Sequence, residues 1–98
     1  MSNRMPDGWS NFDFTLSPEA KHVFESATLG LVGMKYTPFA FATQAVVGTN
    51  YSFLCEAETR VRDPTNTIVK VRIFQPLDND DTPIDVKPIV DSIEAISP

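Results

Sequence analysis

The sequence predicts an α+β fold in which one N-terminal helix packs on an antiparallel β-sheet of four to five strands. Two observations carry this. A single apolar stripe at three- and four-residue spacing follows a helix-start signal near residue 17, and β-rich sequence with alternating apolar and polar residues and turn signals fills the chain after Gly33. One amphipathic helix followed only by strands must bury its stripe against one face of their sheet.

The 98 residues suffice for one core, so residues 1–98 are read as a single domain. Residues 1–16 form an extended arm: Pro6, Gly8, Asn11 and Asp13 interrupt the isolated aromatics Trp9, Phe12 and Phe14, leaving no sustained periodicity. The alternate spacing of Phe12 and Phe14 suggests that the second half of the arm adds to a sheet edge. Ser17 can cap free N–H groups, Pro18 suits the first helical position and Glu19 complements the positive end of the helix dipole. Ala20, Val23, Phe24 and Ala27 then share one face, giving a helix over about residues 18–29 that stops near Gly30.

Beyond Gly33 the register of the first strand is open, because Pro38 cannot donate to a ladder and implies an edge, bulge or bend. From Tyr51 the alternation is clean, with Tyr51, Phe53, Cys55, Ala57 and Thr59 inward and Ser52, Glu56, Glu58 and Arg60 outward. Gly48-Thr49-Asn50 reads as the hairpin turn before this strand, and Asp63-Pro64-Thr65-Asn66 as the turn after it. Val69, Val71 and Ile73 alternate with Lys70, Arg72 and Phe74 in the next strand. The run from Asp78 to Asp81 reads as a solvated loop, and Ile84, Val86, Ile89, Val90, Ile93 and Ile96 supply a last strand.

Composition excludes several classes of function. The net charge is -5 and the eight Lys and Arg residues are scattered, so no footprint for nucleic acid exists. No apolar stretch approaches the ~20 residues of a membrane-spanning helix, and no leading signal segment is visible, so no membrane association is expected. The single cysteine, Cys55, cannot form an internal disulfide and fits a reducing compartment, the cytoplasm. Cys55 lies on the apolar face of its strand, while the lone His22 is on the helix; Cys55 is therefore read as a buried structural thiol rather than a nucleophile. The acidic run lacks the central glycine and closing glutamate of a calcium loop, so no metal and no cofactor are expected. With no paired catalytic groups, the chain is not expected to be an enzyme.

One segment carries more specific information. Thr43-Gln44-Ala45-Val46-Val47-Gly48-Thr49-Asn50-Tyr51 resembles the defining stretch of the cystatin family, Gln-x-Val-x-Gly, with the Thr-Asn-Tyr that follows it in many members. The element order over residues 8–77 is similar to that family's, and the likeness is close over residues 43–53. The resemblance implies a cystatin-like roll and a reversible, non-covalent inhibitor of papain-like cysteine proteases. It implies a wedge of three parts that occludes the protease cleft: Gly8 in the arm, the hairpin from Gln44 through Ala45, Val46 and Val47 to Gly48, and a second hairpin tip at Pro76-Leu77. Extracellular cystatins carry Pro-Trp at that second tip. Pro76-Leu77 and the lack of a disulfide make the chain similar to stefins, the single-domain intracellular members.

The residue chemistry agrees with a binding role for the loop. Val46 and Val47 place apolar surface at a tip that is ordinarily polar, and Gly48 permits positive φ and close backbone approach. The competing reading from the residues is that both valines pack inward and the fold serves as a binding or structural module without protease inhibition, for instance through strand addition at a sheet edge. A monomer is expected, with a domain-swapped dimer through the long central hairpin as the alternative.

Overall fold

The computed structural model describes residues 8–63, 65–77 and 87–96. Ile84 and Val86, the loop from Asp78 to Asp81, Pro64 and the first seven residues of the arm lie outside the described residues.

Helix α1 spans Pro18–Thr28, and the strands are β1, Met34–Val46; β2, Gly48–Thr59; β3, Asn66–Gln75; and β4, Ile89–Ala95. They form one antiparallel sheet in the order β1-β2-β3-β4, with α1 packed on one face. The capping expected at Ser17 is present: its side-chain oxygen accepts from the Ala20 N–H at 3.1 Å, with Pro18 opening the first turn. The helix ends one residue before the expected boundary, at Thr28, whose hydroxyl donates back to the Phe24 carbonyl at 2.8 Å.

The core is made where α1 covers the inner face of β2 and β3. Ala20, Val23 and Phe24 meet Tyr51, Phe53, Cys55 and Ala57 from β2 and Val69, Val71 and Ile73 from β3. The alternation read from the sequence therefore selects the inner face of both strands. Phe53 stands at its centre, fully buried, with its ring centroid 5.0 Å from Phe24 in an edge-to-face contact and 5.6 Å from Tyr51 in a stacked one. Phe41 adds a further stacked contact at 6.4 Å.

Pro38 occupies a bulge. Pro38 pairs with Cys55 and Ala40 with Leu54, leaving Phe39 as the extra residue. The slip has a packing reason. Tyr36 and Phe41 are an odd number of residues apart and would face opposite sides of a regular strand, yet both pack on the core. The bulge restores the phase.

Two expectations are corrected. The hairpin does not turn at Gly48-Thr49-Asn50: β2 already begins at Gly48, those residues pair with Val46, Ala45 and Gln44, and the chain reverses at Val47. Pairing of Thr49 with Gln75 and Asn50 with Phe74 on β3 draws them into the sheet, overriding their local turn preference. Ser52, expected outward and solvated, is buried because Trp9, Ser10 and Phe12 of the arm line the same hollow on the outer face, together with Ala42, Lys70 and Arg72.

The arm adds to the sheet as expected, though not through an alternating Phe12–Phe14 strand. It runs antiparallel along the free edge of β1, bridging at Trp9 to Gln44 and at Asp13 to Phe41. The Ser10 N–H donates to the Thr43 carbonyl at 2.9 Å and the Thr43 N–H donates to Ser10 Oγ at 2.9 Å. Asp13 and Phe41 exchange backbone bonds at 2.8 and 2.9 Å. Phe14 remains 70% exposed. Among the described residues no helix is long and apolar enough to cross a membrane.

The core assigns unequal weight to the aromatic residues. Phe53→Ala should cost about 3–5 kcal/mol in urea unfolding, a large share of a small domain's stability. Phe14→Ala should stay within about 0.5 kcal/mol of the parent. Equal losses at the two positions would contradict the core described.

Candidate functional site

The long β1–β2 hairpin extends past the helix-covered core. Tyr51 is the last residue of β2 toward the tip that is buried, and beyond it Asn50, Thr49 and Gly48 are half-buried and Val47 is 81% exposed. Val46 is 49% exposed and Ala45 is exposed as well. The valines do not fold inward; they present apolar surface to solvent at a strand reversal.

Gln44 and Asn50 face each other across the base of this tip, and the Asn50 Nδ2–H donates to Gln44 Oε1 at 2.9 Å. The side chain of Gln44 thus clasps the two strands below the reversal. Gly48 has φ +105°, and a Cβ built there would lie 2.5 Å from the Gln75 carbonyl oxygen and 3.0 and 3.1 Å from two ring carbons of Phe74. Its requirement for glycine is therefore met within the chain: the close backbone approach expected at Gly48 is the approach of β3.

This same contact brings the second expected segment to the tip. Gln75 ends β3 opposite Thr49, so Pro76 and Leu77 leave the sheet beside the hairpin, with Leu77 65% exposed. The arm arrives from the other side. Gly8 has φ +88°, and a Cβ there would lie 3.9 Å from Gln44 Cγ, an ordinary contact, so Gly8 serves backbone conformation rather than clearance. Through Gln44 and through Gly48 the structure brings together all the residues singled out from the sequence: Gly8, Gln44 to Gly48, and Pro76-Leu77.

Sequence reasoning missed three residues that shape this end of the sheet. Ser10 stitches the arm to Thr43, Asn50 fixes Gln44, and Arg72 of β3 lies over the Trp9 ring, its Cζ 5.3 Å from the centroid. Asn50 follows Gln44 by six positions, a signal readable only once the reversal is known to fall at Val47. The contact between Trp9 and Arg72 joins residues far apart in the chain and has no local sequence signal.

The site carries little chemistry. Cys55 is fully buried in the core, and burial pushes its thiol up to about 12, which suits the structural reading and not a nucleophile. Tyr51 is also raised, first by burial and then by the Glu19 carboxylate. Among the described residues no group of three or more His, Cys, Asp or Glu is placed to hold a metal ion. Comparison with protein families, with curated proteins and with solved structures gave no match.

The clash at Gly48 predicts that Gly48→Ala loses more than about 1 kcal/mol in urea unfolding, from positive φ and from displacement of β3. Gly30→Ala, where a Cβ meets nothing within 4 Å, should stay within about 0.5 kcal/mol. Equal effects would remove the special role of Gly48.

The buried thiol predicts an alkaline limb in stability. Between the ordinary thiol value and about 12 the unfolded chain releases the Cys55 proton and the folded chain retains it. The unfolded state then binds fewer protons, so stability falls as pH rises above about 9. Thermal melts from pH 7 to 11 should show this fall in the parent and a shallower one in Cys55→Ala, with the raised Tyr51 supplying the remainder. Identical slopes would contradict it.

Proposed function

We propose that this chain is a cystatin-like roll of the stefin type, acting as a reversible, non-covalent inhibitor that occludes the active-site cleft of papain-like cysteine proteases. The observation that carries the reading is the convergence of three segments at one end of the sheet, with Val47 at 81%, Leu77 at 65% and Val46 at 49% exposure. An apolar wedge whose backbone is locked by sheet pairing and a side-chain clasp enters a cleft with little further ordering. Each valine contributes up to about 1.5–3 kcal/mol if fully buried by the partner, so the tip alone can anchor an interface. The residues at the tip are apolar or amide-bearing, which fits occlusion without chemistry.

A second reading, a binding module of the same fold that does not inhibit proteases, draws on one specific observation. Gly48 and Gln44, the two ends of the motif, both have structural duties inside the chain, a clash-free approach to Gln75 and a hydrogen bond to Asn50. Those duties would preserve the motif whatever the tip binds.

Titration of active papain with the purified protein, followed with a fluorogenic substrate, separates the two. The inhibitor reading expects saturable inhibition, weakened more than tenfold by deleting residues 1–9 and less than tenfold by Leu77→Ala, with most of the loss in faster dissociation. No inhibition at micromolar protein would overturn it in favour of the module.

A further inference from the structure

We infer that Arg72 is a positioning residue: through its contact with Trp9 it holds the arm, and with it Gly8, in place beside the hairpin tip. This deepens the proposed inhibitor reading and rests on it for its consequence in binding, though the contact itself does not.

Upstream of the Asp13–Phe41 pair the arm's bonds to the edge strand β1 include the Ser10–Thr43 pair and the Trp9–Gln44 bridge. Gly8, with positive φ, stands next to Trp9 at the end of this pairing.

The Trp9 ring adds a side-chain contact to this backbone pairing. Trp9 is paired with Gln44 and so projects on the outer face of the sheet, away from α1, where Arg72 stands in register with Ser52. The guanidinium lies 5.3 Å from the ring centroid, within the range of a cation–π contact. Lys70 and Arg72 line one hollow with Trp9, and Gln44, Asn50, Arg72 and the carboxylate-bearing Asp91 line the neighbouring one, so the ring is seated in a polar setting that holds both charges next to the clasp. Trp9 adjoins Gly8, and fixing the ring fixes the glycine. A cleft-binding wedge gains from an arm already docked, because the fraction of chains in the competent arrangement scales the apparent affinity.

Trp9 is the chain's single tryptophan, so its fluorescence reports this docking directly, whether or not the protein inhibits a protease. In the full chain, Arg72→Gln should raise acrylamide quenching of Trp9 and lower its anisotropy, with the far-UV spectrum and melting temperature unchanged. Arg72→Lys, which keeps the charge, should recover much of the parent signal. Against papain, Arg72→Gln should weaken inhibition by about two- to fivefold, the scale an exposed cation–π contact supports, and Arg72→Lys by less. Unchanged quenching and anisotropy in Arg72→Gln would overturn the inference. Increased quenching in a protein whose parent does not inhibit papain would support the latch and overturn the protease reading instead.

Discussion

Phe53 is in contact with an aromatic ring from α1, one from β1 and one from its own strand, and it has no exposed surface. The rest of the arrangement follows from burying that face of β2 once. The helix has only a narrow stripe to offer, Ala20, Val23 and Phe24, and it covers β2 and β3 from Tyr51 and Ile73 at one end to Ala57 and Val69 at the other. β1 must bulge at Phe39 to deliver both Tyr36 and Phe41 to the same side. Whatever lies beyond Tyr51 toward the tip projects past the helix, and that is why Val46 and Val47 are left in solvent.

The projecting hairpin is stiffened by sheet pairing rather than by a helix above it. Thr49 and Asn50 pair on both sides, with β1 and with β3, and Gly48 lets β3 come within a distance that any side chain would block. The same contacts that make the tip rigid set Pro76 and Leu77 beside it. The arm joins from the opposite edge, where β1 would otherwise present unpaired backbone groups, so one docking event both protects an edge strand and adds Gly8 to the tip.

What was legible in the sequence depended on how local its cause is. Ser17-Pro18-Glu19 marks the helix start by capping chemistry that acts within one turn. The alternation of β2 and β3 is legible because each inner residue meets the same apolar face. The position of the hairpin reversal was not, since Gly48-Thr49-Asn50 has the chemistry of a turn and is drawn into strand by pairing with Gln75 and Phe74, far along the chain. The burial of Ser52 was hidden for the same reason, its cover being an arm some forty positions earlier. Of the candidate site, the motif residues were readable one by one. Their convergence, and the parts played by Asn50 and Arg72, exist only in the assembled sheet.

On the proposed reading, one end of the sheet, built from three separate segments, is the surface that would meet a papain-like protease. Backbone amide NMR of the labelled protein, titrated with papain whose thiol carries a small blocking group, tests this most directly. Perturbations should concentrate at Gly8 to Ser10, at Ala45 to Gly48 and at Leu77, leaving the Glu94–Ala95 end of β4 and the far end around Val32 and Val61 unchanged. Perturbations centred on the Glu94–Ala95 end of β4 or on that far end, or none at saturating papain, would contradict it.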